Sequence, residues 1–395
     1  MPDPLQPVLG GDEPFDATEF EVESRAELDA LLAKHTLAGL VVLGLRLDRD
    51  PPDLSGVDVH DTLFVGCEFS GPDVETDLIR RGAHVVPPLD GLPYATHPAV
   101  LYAPEDLAAG FGEAGFAGMY DTAVYDHFVA HGGAVPDIRE ALAQRLHDAG
   151  IDNALGKALA AWAKTHGQQG AVGIMGGHAA PRGSSAYRMA ALLAQRLAAQ
   201  GRLIVTGGGP GVMEAANLGA YFASRTEEDL SSAIDALAEA PHFLDHEPYT
   251  AAALSVRATF PLPELDLAGR LQHGGLALPT WLYGHEPANL FAGQIGKYFS
   301  NAVREDSILR LARGGIVFAP GWAGTVQEIF QAATKTFYAT DGPSGAYVFL
   351  GVEHWTALPV AELLRPLLAR SPHGDQSDLI VVTDSLDEAT AALLT

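Results

Sequence analysis

The sequence predicts an α/β protein with a doubly wound, Rossmann-like parallel sheet and an N-terminal α/β accessory domain. From residue 171 onward, apolar runs typical of buried strands alternate with amphipathic helical patterns. Two of these strands run directly into glycine-rich turns. The 395 residues are 47% hydrophobic, which is enough to build two cores. We therefore expect an accessory domain over residues 1–135 and a core domain over residues 136–395.

The accessory domain begins with a helical pattern over residues 27–34 and an apolar run over residues 38–47 that predicts a strand. Beyond them, apolar side chains recur at every fifth position, at Leu54, Val59, Phe64 and Phe69. This spacing is that of one coil of a pentapeptide-like β-helix, but a solenoid needs several stacked repeats. We therefore expect an ordinary α/β domain, followed by helices over residues 119–131, 138–147 and 155–164.

The core domain is a regular series of strands and helices. Its predicted strands are residues 171–175, 203–206, 276–283, 315–319, 346–351 and 379–383, and its helices are residues 184–199, 211–222, 290–312 and 325–339. Right-handed crossovers place such strands in one parallel sheet, whose ligands bind beyond the carboxyl ends of the strands. An acidic segment over residues 226–263 interrupts the series, and its predicted helix from Thr226 to Ala240 is interpreted as a lid or an oligomer contact.

Two strand-to-helix turns carry the chemistry. The first, Gly207-Gly208-Gly209-Pro210-Gly211, leads into a helix that begins near Met213 and Glu214. The second, Pro320-Gly321-Trp322-Ala323-Gly324-Thr325, leads into a helix with Glu328 about one turn beyond Gly324. Free backbone amides at such turns, together with the positive end of the helix, attract phosphate. Because both turns lie at one edge of the predicted sheet, they suggest a shared nucleotide site, although glycines also occur in tight turns that bind nothing.

In order and spacing, these segments resemble the LOG (lonely guy) family of phosphoribohydrolases and the related bacterial nucleotide 5′-monophosphate nucleosidases. The family pattern is a Gly-Ser-Ser-like loop after a strand, a GGG-x-G-(L/V/I)-M segment, an arginine on a helix, and PGGxGTxxE. The corresponding segments, within residues 170–385, are Met175-Gly176-Gly177-His178, Gly207 to Met213, Arg304, and Pro320 to Glu328. Trp322 replaces the second glycine of PGG, and Glu305-Asp306 follows Arg304 where the family often has lysine.

The resemblance implies an enzyme that hydrolyses the N-glycosidic bond of a nucleoside 5′-monophosphate to a free base and ribose 5-phosphate. It implies Glu328 and Arg304 as catalytic residues, no metal or redox cofactor, and a homodimer or larger homo-oligomer. The implied substrate and phosphate contacts are Gly177, His178, Gly208, Gly209, Gly211, Met213, Glu214, Gly321, Trp322, Gly324 and Thr325. By residue type, a carboxylate near C1′ can stabilise an oxocarbenium-like sugar and orient water, while a guanidinium can bind phosphate, ribose or base.

Each of these side chains also has a purely structural interpretation. Glu328 and Glu214 can be acids that complement the positive end of a helix. Arg304 can form a surface salt bridge with Glu305 or Asp306, and His178 can have only a structural role. The loop over residues 285–289 is a possible base-recognition segment or a simple connection.

Other functions of the same core remain as alternatives. A catalytically silent nucleotide sensor is favoured by Trp322 and by the Glu305-Asp306 pair, and a carrier of a phosphorylated cofactor such as a pterin is a weaker option. A dinucleotide dehydrogenase is disfavoured because G-x-G-x-x-G would require glycine at Val212 or Glu214. A Walker A loop also fails, because Tyr298 follows Gly296-Lys297.

Composition excludes several kinds of partner. The formal net charge is −26, from 50 acidic and 24 basic residues, whereas nucleic-acid binding needs clustered lysine and arginine. No apolar stretch reaches the length of a membrane span, and the N-terminal residues lack a signal-peptide pattern. The single cysteine, Cys67, fits a buried thiol in a reducing compartment. His242 and His246 have the i, i+4 spacing of metal ligands, but no third ligand is apparent. We therefore expect a cytoplasmic protein that acts on a small molecule.

Overall fold

A computed structural model describes residues 20–167 and 170–394 of the chain. These residues form two compact units. The N-terminal unit comprises residues 20–101 and 127–157, and the core unit comprises residues 102–126, 158–167 and 170–394. The units are therefore interleaved along the chain, whereas the sequence predicts one boundary between residues 135 and 136. None of the described helices is both long and apolar enough to cross a membrane.

The N-terminal unit is built on a parallel sheet. In its described residues the sheet has four strands in the order β1-β2-β3-β4. The strands are β1 (Glu21–Val22), β2 (Val41–Leu43), β3 (Leu63–Val65) and β4 (His84–Val86), and helices α1 (Arg25–Leu32) and α2 (Pro72–Arg80) connect β1 to β2 and β3 to β4. The predicted α/β class of this region is confirmed. The five-residue spacing does not reflect a β-helix coil, because the paired strands are separated by whole helices or long loops.

One face of this sheet packs on α1 and α2. Val22, Val42 and Phe64 are buried on that face with Leu28 of α1 and Leu78 of α2. Successive strand side chains point to opposite faces, so the alternate residues lie on the other side of the sheet. Cys67 is buried in the same apolar cluster, as expected, and burial raises the pKa of its thiol to about 11.

The core unit contains a larger parallel sheet, which confirms the predicted doubly wound α/β fold. Over the described residues it has seven strands in the order β11-β10-β9-β5-β6-β7-β8. The strands are β5 (Ala171–Met175), β6 (Leu203–Thr206), β7 (Leu276–Ala277), β8 (Gln294–Ile295), β9 (Ile316–Phe318), β10 (Tyr347–Leu350) and β11 (Ile380–Thr383). Every residue of β5, β6, β9 and β10 is buried, so both faces of the central sheet are covered.

The remaining helices lie before, between and after these strands along the chain. They are α3 (Pro104–Leu107), α4 (Phe111–Ala114), α5 (Tyr120–Ala130), α6 (Ile138–His166), α7 (Ser185–Ala199), α8 (Val212–Tyr221), α9 (Glu227–Leu237), α10 (His246–Thr259), α11 (Leu267–Gln272), α12 (Asn301–Leu311), α13 (Ala323–Tyr338), α14 (Val352–Ala357), α15 (Val360–Leu368) and α16 (Leu386–Leu394), with 3-10 turns at Phe116–Gly118 and Ser377–Leu379. The acidic segment over residues 226–263, which interrupts the predicted series, contains α9. This helix begins with a capping box formed by Thr226 and Asp229.

The structure corrects three predicted elements. The helix predicted over residues 290–312 is an edge strand followed by a shorter helix, because Ile295 exchanges backbone hydrogen bonds with Tyr102. The strand predicted over residues 276–283 is regular only at β7, and Pro279, which has no backbone N–H, interrupts it. The two helices predicted over residues 138–147 and 155–164 are one continuous helix, α6.

The strand order locates the functional edge of the core sheet. The chain proceeds from β5 outward to β6 on one side, and it returns to β9 on the other side of β5. Such a reversal of strand order leaves a crevice at the carboxyl ends of the two strands concerned, where ligands of open α/β sheets bind. β5 and β9 are the strands that precede the Gly177 loop and the Pro320 turn.

Candidate functional site

Three loops meet at the carboxyl ends of β5, β6 and β9. The amide of Gly177 donates to Pro320 O at 3.0 Å, and the amide of Val212 donates to Gly177 O at 3.2 Å. Gly211 has φ +68°, and a Cβ there would lie 2.5 Å from Gly177 O. The first turn therefore lies on one side of the Gly177 loop and the second turn on the other, and both lie at one edge of the sheet.

The glycines of the first turn allow neighbouring atoms to approach its backbone closely. Gly208 has φ +71°, and a Cβ there would lie 2.5 Å from Pro279 Cδ. A Cβ on Gly209 would lie 2.9 Å from Glu286 Oε2, and one on Gly207 would lie 3.2 Å from Arg304 Nη1. The positive φ and the approach to Pro279 require glycine at position 208, and the contacts at Gly207 and Gly209 place two charged side chains directly beside the backbone of the turn.

Met213 packs against the backbone of the first turn, and Thr325 packs against the backbone of the second turn. A Cβ on Gly207 would lie 2.8 Å from Met213 Sδ, so this thioether packs beneath the first turn. Thr325 is only 5% exposed, and a Cβ on Gly321 would collide with its Oγ1. Both residues are thus placed at the site by the structure, with their side chains against the backbone of the loops.

The second turn presents the N-terminus of α13. Trp322 caps this helix without a side-chain capping bond, and Ala323 and Gly324 in the first turn are exposed. The first amides of an α-helix have no partner within the helix and carry a partial positive charge. α13 has 16 residues, so its N-terminus is a well-developed positive end directed to solvent at the crevice.

Glu328 and Arg304 come together at this edge. Glu328 Oε1 lies 3.8 Å from Arg304 Nη1, and the two side chains are only 15% and 8% exposed. Burial raises the pKa of Glu328 to about 7, with Glu305 acting in the same direction and Arg304 opposing it. A carboxyl group that titrates near neutrality can exchange a proton with water or substrate.

Asn301, Gln327 and Glu305 fix the position of the guanidinium. Arg304 Nη2 donates to Asn301 Oδ1 and lies 3.7 Å from Glu305 Oε1. Glu305 in turn accepts from Asn301 Nδ2 at 2.8 Å and from Gln327 Nε2 at 2.9 Å. Asp306 instead pairs with Lys335. The salt bridge considered between Arg304 and Glu305 is therefore present, but it lies in a buried polar network and not at the surface. Among the described residues, Arg304 Nε has no hydrogen-bond partner.

Glu286 is a further acid of the crevice. It comes from the loop over residues 285–289, and burial raises the pKa of its carboxyl group, while the positive charges of Lys297 and Arg304 and the nearby His178 oppose the shift. Lys297 itself is buried and donates to Asp121 Oδ2 at 2.9 Å. The sequence singles out this loop, but only the approach of Glu286 to Gly209 shows which of its side chains reaches the site.

Glu214 lies in a buried cluster beneath the first turn. It is 2% exposed, and its Oε2 accepts from Arg182 Nε at 2.9 Å, Tyr187 OH at 2.9 Å and Tyr249 OH at 2.7 Å. Its other oxygen accepts from Arg182 Nη2. With both oxygens engaged, we expect Glu214 to hold α8 in place, and its contact with substrate stays a prediction.

Trp322 and His178 lie at the mouth of the crevice. The indole is 77% exposed and packs edge-on against His354, with ring centroids 5.6 Å apart. It therefore does not fill the space between the two turns. His178 is exposed, contacts Phe243 edge-on at 5.9 Å, and lines a cavity of about 140 Å³ next to Gly211.

His354 supports the second turn, and sequence reasoning missed it. Its Nε2 lies 3.0 Å from Gly321 O and 3.4 Å from Gly321 N, so the ring contacts both polar atoms of the Gly321 backbone. His354 belongs to α14, directly after β10. Its position after a strand of the same sheet is the signal that would have found it, because the carboxyl ends of parallel strands share one edge.

Residues 169–225 match the model of the SLOG cluster4 family. This span runs from β5 through the Gly177 loop and the first glycine turn to the end of α8. The match indicates a relation to the SLOG superfamily, to which LOG proteins are related, and it is compatible with a nucleotide-related function. It ends before Arg304 and the second turn. No curated protein matches the chain.

Proposed function

We propose that the protein is a LOG-like phosphoribohydrolase, which splits a nucleoside 5′-monophosphate into a free base and ribose 5-phosphate. The observation that carries this proposal is the meeting of Glu328 and Arg304 between two amide-rich turns at the strand-order reversal. The SLOG match over the first turn supports a nucleotide ligand, and the resemblance of the motifs to LOG enzymes supports this reaction.

The phosphate is proposed to bind the amides of Gly324 and Thr325 and the backbone of the first turn. α13 contributes its positive end, and the exposure of Ala323 and Gly324 leaves this end accessible. Arg304 is then proposed to face the ribose or the base, since its Nη1 lies beside Gly207 at the start of the first turn.

The chemistry is proposed to centre on Glu328. In its carboxylate form it accepts a proton from a water molecule as that water attacks C1′, and its charge stabilises the oxocarbenium-like sugar. The C1′–N bond breaks and its electron pair leaves with the base. A proton from solvent neutralises the departing nitrogen, and Glu328 returns the proton that it accepted from water to solvent. Arg304 stabilises the ionised carboxylate and the negative charge that develops on the base. Trp322, exposed at the mouth of the crevice, is proposed to border the base.

The decisive test is release of free base from a panel of purine and pyrimidine nucleoside 5′-monophosphates. We expect the parent protein to release base from at least one of them, and Glu328→Gln to be at least a hundredfold slower, as is usual on loss of an acid-base group. Glu353→Gln, which alters an exposed glutamate of α14, is the matched control. Equal rates for the parent and Glu328→Gln would refute the catalytic assignment.

A catalytically silent nucleotide sensor is the second candidate. The observation that favours it is the density of acids around one arginine, since Glu286, Glu305 and Glu328 all face Arg304 or its neighbours. In that case nucleoside monophosphates would raise the unfolding temperature of the protein without any release of base. Base release by the parent would exclude this candidate.

We also propose that copies of the chain associate through α13. The exposed side chains along this helix, all within the described residues, are uncharged and include Phe330 at 40% and Tyr338 at 50% exposure. In a chain with a net charge of −26, an uncharged face is where two copies can approach with least repulsion. Light scattering should show a dimer or larger species for the parent, and a smaller species for Phe330→Glu.

A further inference from the structure

One guanidinium faces two acids in the crevice. Arg304 Nη1 lies 3.8 Å from Glu328 Oε1, and Arg304 Nη2 lies 3.7 Å from Glu305 Oε1. All three side chains are largely buried. In a buried site a single positive charge does not compensate two carboxylates, and each carboxylate opposes the ionisation of the other. The two acids therefore compete for Arg304.

The geometry favours Glu305 in this competition. Its two oxygens accept from Asn301 Nδ2 at 2.8 Å and from Gln327 Nε2 at 2.9 Å. Asn301 also binds the guanidinium, because its Oδ1 accepts from Arg304 Nη2. Asn301, Arg304 and Glu305 are spaced i, i+3 and i+4 on α12, which places them on one face of the helix. The guanidinium is thus fixed on the side of Glu305.

Glu328 is left with an incomplete pair. The distance of 3.8 Å between Arg304 Nη1 and Glu328 Oε1 is longer than an N–H···O hydrogen bond. A bidentate pair would instead engage both carboxylate oxygens in short, charge-assisted hydrogen bonds. Over the described residues, burial, Arg304 and Glu305 determine the pKa of Glu328, and no hydrogen bond contributes. Its carboxyl oxygens are therefore available to water or substrate.

The other acids nearby do not share the role of Glu305. Asp306 follows it in sequence, but Asp306 Oδ1 pairs with Lys335 Nζ at 2.9 Å. Glu286 comes from a separate loop, and the guanidinium charge acts on its carboxyl group. Among the described residues, Glu305 is thus the acid that both contacts this guanidinium and opposes the ionisation of Glu328.

We propose that Glu305 is a positioning residue, which holds Arg304 back from Glu328 and so keeps the Glu328 carboxyl free to act as a base. The kinetic consequence of this role rests on the proposed hydrolysis. Without a negative charge at position 305, Arg304 can close on Glu328 as a full ion pair. The paired carboxylate would then ionise at lower pH and accept a proton from water less readily.

Two neighbouring substitutions in the full chain test the proposal. Glu305→Gln and Asp306→Asn each remove one negative charge from α12, and only the first removes it beside Arg304. NMR of the glutamate carboxyl carbons follows the ionisation of Glu328, whose signal is assigned by its loss in Glu328→Gln. We expect the pKa of Glu328, about 7 in the parent, to fall by about one pH unit in Glu305→Gln. It should keep the parent value in Asp306→Asn. Glu305→Asp retains the charge and should stay closer to the parent than to Glu305→Gln.

Kinetics provide a second readout. In Glu305→Gln, kcat/KM for base release should rise at a pH about one unit lower than in the parent and reach a lower plateau, because a weaker base removes the proton more slowly. A merely structural role of Glu305 would lower the plateau and leave the midpoint of the pH profile unchanged.

The two measurements separate this proposal from the hydrolysis itself. An unchanged pKa of Glu328 in Glu305→Gln, or equal falls in Glu305→Gln and Asp306→Asn, would overturn the role of Glu305. A fall confined to Glu305→Gln in a protein that releases no base would support that role and count against the hydrolysis alone. If Glu305→Gln does not fold, Glu305→Ala removes the same charge and provides the same test.

Discussion

Replacing Glu328 by glutamine should change how the stability of the protein depends on pH. The carboxyl group is buried next to Arg304, and its pKa is raised from 4.5 to about 7. In the unfolded chain the group ionises near its ordinary value. At pH values between these two pKa values, Glu328 is protonated in the folded protein and ionised in the unfolded chain. Folding is therefore favoured at low pH, and this contribution disappears as pH rises through about 7.

The size of the effect follows from the two pKa values. Each pKa unit corresponds to about 1.4 kcal/mol, so the difference between 4.5 and about 7 predicts a loss of about 3 kcal/mol in the free energy of unfolding. Glutamine cannot ionise and escapes this loss. We expect Glu328→Gln to resemble the parent in stability at pH 4.5 and to be more stable by about 3 kcal/mol at pH 8.

Urea unfolding of both proteins across this pH range measures the effect, with Glu353→Gln as the control at an exposed position. The same ionisation should appear in catalysis, where kcat/KM of the parent rises with pH and levels off above about 7. Stability curves of the parent and Glu328→Gln that run parallel from pH 4.5 to pH 8 would refute the burial argument, whatever the activity.

Three further substitutions test the parts of the site separately. Gly211→Ala should destabilise the protein by about 1–3 kcal/mol and abolish nucleotide-dependent stabilisation, because its φ is +68° and a Cβ would meet Gly177 O. Trp322→Ala should leave stability within about 0.5 kcal/mol, since the indole is 77% exposed, yet raise KM for the nucleotide. Arg182→Met should cost about 3–5 kcal/mol, because it leaves the Glu214 carboxylate buried without its cation.

Matched variants separate these effects from general damage. Gly112→Ala adds a methyl group where nothing lies within 4 Å, and Arg188→Met breaks a more exposed ion pair with Asp235. Denaturant unfolding should show both near the parent. If Gly211→Ala is as stable as Gly112→Ala, the close approach of Gly211 to Gly177 is contradicted. An unchanged KM in Trp322→Ala would show that the indole does not contact the base. Equal losses of unfolding free energy in Arg182→Met and Arg188→Met would contradict the buried pair of Arg182 and Glu214.

The sequence was sufficient for the turns because their chemistry is local. Three successive glycines after an apolar strand, and Pro320 to Glu328 after another, specify strand, turn and helix from adjacent residues. Parallel sheet geometry then places both turns at one edge, without knowledge of the strand order. The approach of Glu328 to Arg304 needed one further assumption, that the arginine lies on a helix near this edge, and the motif order of the resembled family provided it.

What the sequence did not provide depends on partners that are distant along the chain. The helix predicted over residues 290–312 failed because Ile295 pairs with Tyr102, far away in sequence. Glu214 could not be assigned to its buried cluster, because Arg182 and Tyr249 come from other elements. The role of Glu286 likewise depends on a loop that folds back onto Gly209. Local propensity carries no information on such long-range contacts.

The buried bond between Asp121 and Lys297 bears on how this protein can be divided. Asp121 precedes the second segment of the N-terminal unit, whereas Lys297 lies within the core sheet region. A fragment that starts at residue 136 would leave the ammonium group of Lys297 in the interior without a counter-ion, a defect that typically costs about 3–5 kcal/mol. It would also remove Tyr102 from the edge of β8. The core unit is thus not a portable module, and gene fusion or recombination at residue 135 would sever the fold it was meant to transfer.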